Sequence, residues 1–111
     1  MEIRFDAIPQ QVLSHLRGGE NDTLMHKFED ERVKVMLVTL EPGSSIGMHR
    51  HEGSCEVYYG LAGSGKVLYD DAEEPMSPGR CHYCPEGHSH SLINNGSEPL
   101  TVFAMVPKFP E

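Results

Sequence analysis

Three histidines and one glutamate, set in a frame of glycines and prolines, constrain this chain more than any other feature. The upstream frame runs Gly43, five residues, His49, one, His51, four, Glu56, six, Gly63. The downstream frame runs Gly79, five residues, Pro85, one, Gly87, two, His90, three, Asn94. Three imidazoles and a carboxylate suit Mn, Fe, Co, Ni, Cu or Zn, whereas calcium and magnesium want oxygen ligands. Side chains alternate along a strand, so His49 and His51 point one way while Met48 and Arg50 point the other. Glu52, Gly53 and Ser54 read as a turn. The run Cys55–Leu61, rich in Val, Tyr and Leu, reads as a strand. A turn of this length suits a hairpin that brings Glu56 back beside the two histidines. His90 then comes from a non-neighbouring strand, and a barrel interior closes such a site well.

Both frames match the paired motifs of the cupin family at all ten positions, and the chain resembles a single-domain cupin. The resemblance implies an all-β fold, the cupin jelly-roll or double-stranded β-helix barrel. It implies one domain over 1–111, with 1–22 as an N-terminal arm and 33–106 as the barrel core. It implies one divalent transition metal per chain, drawn from Mn, Fe, Ni, Cu and Zn, on His49, His51, Glu56 and His90. It also implies a homodimer whose N-terminal arm packs across the partner. It does not choose a reaction, because cupins include dioxygenases, decarboxylases, isomerases, sugar-binding modules and storage proteins.

Residues around the four are less sharply defined. Tyr58 shares a strand face with Glu56 and lines the cavity, either as a hydrogen-bond donor to substrate or as a packing aromatic. His88 shares a face with His90, as a fifth polar group at the barrel mouth or as a solvated turn residue. Tyr58, His88 and Glu86 are the acid–base groups within reach, with Tyr58 and His88 the catalytic candidates. Met36, Phe103 and Met105 are apolar lining or ordinary core. His15, His26 and His82 have no partner motif, so surface or packing roles are the default. Cys81-x-x-Cys84 invites a zinc or redox reading. A zinc ribbon needs a second such pair, and Pro85-Glu86-Gly87 is a turn rather than the helix start of a redox site. An odd count of three cysteines argues for reduced thiols.

Composition narrows the partners. Nine basic and seventeen acidic residues give a formal charge of −8, and no basic stripe is visible. Nucleic acid is excluded on that balance, since phosphate affinity comes from Lys and Arg. No apolar run reaches membrane-spanning length. The opening Met1-Glu-Ile-Arg-Phe-Asp lacks the pattern of a signal peptide, which predicts a cytoplasmic protein.

Along the chain, Pro9 to Arg17 reads as a short helix stopped by Gly18-Gly19. Strands are expected over 23–28, 33–40, 66–69, 80–84, 89–93 and 100–106. Asp70–Pro78 reads as an acidic loop, and Asn94-Asn95-Gly96-Ser97 as a hairpin turn. Two functions fit. The first is a metal-dependent oxidoreductase or lyase acting on a small oxygen-rich molecule. The second is a non-catalytic, metal-dependent module that binds or senses a small ligand. The absence of a DNA-binding helix pair favours the enzyme.

Overall fold

The structure, a computed structural model, describes residues 1–110. In chain order its strands are β1 (Gln11–Ser14), β2 (Asp22–Glu29), β3 (Val33–Leu40), β4 (Ser45–Arg50) and β5 (Glu56–Ala62). Then follow β6 (Gly65–Tyr69), β7 (Ala72–Met76), β8 (Cys81–Cys84), β9 (Ser89–Ile93) and β10 (Leu100–Pro107). They form a six-stranded sheet in the order β1-β2-β3-β10-β5-β8 and a four-stranded sheet in the order β4-β9-β6-β7. Every pairing is antiparallel. This is the all-β jelly-roll barrel that the motifs imply.

Alternation builds the core between the sheets. Met36, Val38 and Leu40 of β3 face Ala104, Val102 and Leu100 of β10 in one buried layer. Ile46, Val67 and Leu92 close it from the smaller sheet. Truncating a side chain such as Leu92, which is fully buried, costs about 2–5 kcal/mol. Phe103 and Met105 lie on the opposite face of β10, where Phe103 meets the Phe5 ring at 6.4 Å. Of the three lining candidates, only Met36 reaches the interior.

Four elements differ from the sequence expectation. Pro9–Arg17 is not a helix. Gln11–Ser14 adds a strand to the edge of β2, and only Leu16–Gly18 turns, as a 3-10 segment. A helix this short has little stability of its own, so an open sheet edge wins. His51 to Cys55 is not a hairpin turn, because β4 pairs with β9 while β5 lies between β10 and β8. Those residues cross from one sheet to the other. The expected loop 70–78 contains β7, reached through a two-residue reversal at Asp70 and Asp71. β7 is an edge strand, where Pro75 is tolerated. Asn94-Asn95-Gly96-Ser97 also crosses between sheets, and the buried Asn94 secures the crossing by donating to Leu40 O (2.7 Å) and Glu98 O (2.9 Å).

The motif glycines Gly43, Gly63, Gly79 and Gly87 all sit at turns with φ between 73 and 89°. At Gly63 a side chain would also overlap the Pro99 carbonyl, so the position demands glycine twice over. None of the described helical segments is long and apolar enough to cross a membrane.

Candidate metal centre

β4, β5 and β9 bring the four motif side chains to one point inside the barrel. The β4–β9 register slips between Ile46 and His49, and this bulge sets His49 directly opposite His90. Gly47, inside the bulge, passes so close to the Arg17 carbonyl that no Cβ fits. His51 is tied to the second motif by main-chain bonds, accepting from Gly87 N (2.8 Å) and donating to His88 O (3.1 Å). Glu56 opens β5 and points inward. Its Oε1 lies 2.9 Å from His90 Nε2, 3.1 Å from His51 Nε2 and 3.8 Å from His49 Nε2. All four donor atoms lie within 4.8 Å of one another. His51, Glu56 and His90 are buried, and His49 is partly open.

The outer ring nitrogens decide what the inner ones carry. His49 Nδ1 meets Gly47 O at 2.8 Å. A carbonyl only accepts, so Nδ1 holds the proton and Nε2 is bare. His82 Nδ1 meets the Glu74 carboxylate at 2.8 Å, and His82 Nε2 meets His90 Nδ1 at 3.0 Å. The carboxylate accepts from His82 Nδ1–H, which leaves His82 Nε2 to accept from His90 Nδ1. His90 Nε2 is therefore bare as well. His51 Nδ1 meets Ser54 Oγ at 3.1 Å, a partner that serves either tautomer.

Two unprotonated nitrogens, on His49 and His90, thus face each other at 3.1 Å beside a carboxylate. Burial pushes the Glu56 carboxyl up, and hydrogen bonds donated by the three imidazoles hold it well below the usual carboxylate range; with Nε2 bare on His49 and His90, that support needs a cation in place of the protons. Burial also lowers the His90 pKa, against the partial support of Glu56, so an added proton is disfavoured there. A cation held by all four atoms removes the conflict. The His49, His51, Glu56 and His90 group can hold a metal ion, and its donor set fits a divalent transition metal.

The donor set opens on a cavity of about 370 Å³. Tyr58 lines it and stacks on the His90 ring, with centroids 5.0 Å apart and planes 6° from parallel. Burial and the neighbouring Glu56 carboxylate raise the Tyr58 pKa far above 10, so the phenol stays protonated. It can donate a hydrogen bond but not act as a base.

Residues 36–106 match the family model described as a cupin domain. The chain belongs to the cupin family. This cupin is 35% identical over 113 residues to an oxalate-binding protein of Thermotoga maritima, across 96% of this chain and 93% of that one. Its backbone superposes with a TM-score of 0.92 on the crystal structure of a predicted oxalate decarboxylase from Thermotoga maritima. That pair is 30% identical and covers 98% of this chain and 100% of the other. A sugar phosphate isomerase of the cupin superfamily from Silicibacter pomeroyi shares the fold at a TM-score of 0.81 and 22% identity, over 99% of this cupin and 77% of its own chain.

Not every candidate in this cupin converges. His88 does not line the cavity: its Nδ1 pairs with Asp70 Oδ2 at 2.7 Å, outside the barrel and half exposed. Glu86 is equally remote, accepting from Gly53 N at 2.6 Å. His15 and His26 hold the carbonyls of Gly19 and Ile8 in the N-terminal segment. His82 is packed rather than at the surface, being 3% exposed and bonded straight to His90. Its signal was available: alternation places His82 and Cys84 on one face of Cys81–Cys84, and a histidine on a buried face needs partners. Cys84, His82 and His90 lie close enough to form a second group. Burial pushes the Cys84 thiol up to about 11, which keeps it protonated and a poor ligand. Cys81 is exposed and Cys55 buried, and all three cysteines are free thiols.

Proposed function

We propose that this cupin holds one divalent transition metal on His49, His51, Glu56 and His90 and uses it to bind a small carboxylate. The single observation behind this reading is the convergence of bare Nε2 atoms and an ionised carboxylate at the floor of an open cavity. The oxalate-binding relative, alike over nearly its whole length, supports a carboxylate as the ligand class. A bound metal supplies Lewis-acid polarisation of a coordinated oxygen. The chain supplies the rest. Gly47, Ser54 and His82 fix the three rings, Glu74 fixes His82, and Tyr58 offers a hydrogen-bond donor beside the floor. On this reading the chain is one cupin domain, with 1–22 as its arm and 33–106 as its barrel core.

A binding module fits this geometry better than an enzyme. Apart from the metal set, Glu52 at the rim is the only carboxylate lining the cavity among the described residues, and it pairs with Arg50 at 3.4 Å. Decarboxylase-, dioxygenase- or isomerase-like chemistry remains the second reading, favoured by Tyr58 as a fixed hydrogen-bond donor. Elemental analysis of untagged protein, followed by oxalate titration and an assay for product, separates the two. Metal with oxalate binding and no turnover fits the module. Turnover at saturating oxalate fits the enzyme, and absence of metal from protein offered Mn, Fe, Ni, Cu and Zn refutes both.

The same reading includes a homodimer. The outer face of the six-stranded sheet shows Tyr59, Leu61 and Tyr83 at 44, 46 and 54% exposure, which is unusual for a lone surface. A monomer mass by sedimentation would remove this part.

A further inference from the structure

The cavity carries a charge opposite to that of the chain around it. Arg17, Lys27, Lys34 and Arg50 line it against Glu52 and Glu56, a surplus of two positive charges. Elsewhere five basic residues stand against fifteen acidic ones, a deficit of ten. A concave site of one sign inside a shell of the other focuses its field on an incoming anion. Arg50 is paired with Glu52, and Lys27 with Glu29 at 3.3 Å. Arg17 and Lys34 form no ion pair among the described residues; Lys34 lies opposite Glu29 in the β2–β3 register and acts on that carboxylate from beyond ion-pair distance, while Glu29 itself is bonded to Lys108.

Strand register places Lys34 relative to the donor set. Lys34 pairs with Val106, and Met105 pairs with Val57, so the same register sets Val106 beside Glu56. Lys34, Val106 and Glu56 thus form one rung across three strands. Lys34 stands two strands from Glu56, about 10 Å between backbones. The space between them is apolar, with Val106 on the rung and Met36 on the next. Met25, Val38 and Ile46 complete that wall. Oxalate, six heavy atoms with no apolar part, meets neither the wall nor the lysine while it chelates at the floor.

We infer that the ligand of this cavity is a longer dianion. Its 2-oxo- or 2-hydroxy-carboxylate end chelates the metal, an aliphatic stretch lies on Val106 and Met36, and a second anionic group reaches Lys34. The inference rests on the proposed metal site and extends it. The test uses the full chain loaded with Mn²⁺, titrated calorimetrically with oxalate, 2-oxoadipate and 2-oxoisocaproate. The expected order is 2-oxoadipate tightest, at least tenfold tighter than either oxalate or the singly charged 2-oxoisocaproate. Lys34→Met, which keeps the length of the side chain, should weaken 2-oxoadipate at least tenfold and leave oxalate within twofold. Equal or tighter binding of oxalate overturns the inference, as does a Lys34→Met variant that weakens all three ligands alike. Failure to take up Mn²⁺ before any ligand is added overturns the metal reading itself. Normal uptake with oxalate preferred overturns only the longer ligand.

Discussion

His49 and His90 face each other across the centre and reach the same state by different means. His49 rests on the carbonyl of Gly47, two residues away on its own strand. His90 rests on His82, which rests on Glu74, so its support crosses from β9 to β8 and β7. The first support is main chain, and no side-chain substitution removes it without breaking the bulge. The second is made of side chains and ends at a carboxylate that is 42% exposed. One half of the centre is set by local backbone geometry. The other half is adjustable, because residues outside the donor set decide how its histidine is held.

The sharpest way to break this comparison is to remove a donor on each side. His49→Ala and His90→Ala should each weaken metal binding by at least about 100-fold, a donor mattering no less than its outer support. Competition with a chromogenic chelator measures it, and wild-type affinity in either variant would dismiss the four-residue set. The next largest effect separates the two supports. His82→Phe keeps the ring volume but loses the acceptor for His90 Nδ1, and should weaken metal by about 10- to 100-fold. His82→Gln, which can still accept, should recover part of that. Metal affinity unchanged by His82→Phe would make the chain of bonds mere packing.

Acid should probe both halves together. Protons compete with metal for the imidazoles, so metal is held at neutral pH and released below roughly pH 5. The lowered His90 pKa acts in the metal's favour, pushing release to lower pH than a free imidazole would show. Full retention at pH 4 would refute this. A smaller effect belongs to the His90 side alone. Cys84, packed beside His82, has its thiol pKa raised to about 11 by burial. A raised pKa gives stability that is complete below the unfolded thiol's value and lost as pH climbs through the folded one. Thermal unfolding of the apoprotein should show an extra loss of stability between roughly pH 8.5 and 11 that Cys84→Ala abolishes. The smallest effect is at His88: its alanine variant should hold metal within twofold, and a larger change would bring that residue back into the site.

Legibility in the sequence followed how local each feature is. His49, His51 and Glu56 lie within eight positions, so spacing alone exposes them. Val33–Leu40 is readable because it is a run apolar on both faces apart from Lys34, and Ser89–Ile93 because the Pro85-Glu86-Gly87 turn sets it off. β1 is not, because Gln11–Ser14 has no strand pattern of its own and takes its form from the edge of β2. β7 was hidden by Pro75 and its two glutamates, which mark an edge strand as readily as a loop. The crossing between β4 and β5 looked like a hairpin because turn length does not report which sheet the next strand joins. The role of His82 is hidden in the sequence for a related reason. Its partners, His90 and Glu74, are eight residues away on either side, and only the packing of β8 against two other strands reveals them.

β10 lies between β3 and β5, in the middle of the larger sheet, although it is the last strand in chain order. Every donor residue precedes it. Until residues 100–107 insert, β1-β2-β3 and β5-β8 are separate ribbons, and nothing fixes Glu56 at its distance from Lys34. The larger sheet is therefore continuous only with its last strand in place, a topology rich in distant contacts that folds slowly. A chain shortened before Leu100 would carry all four donors yet have no barrel to hold them together.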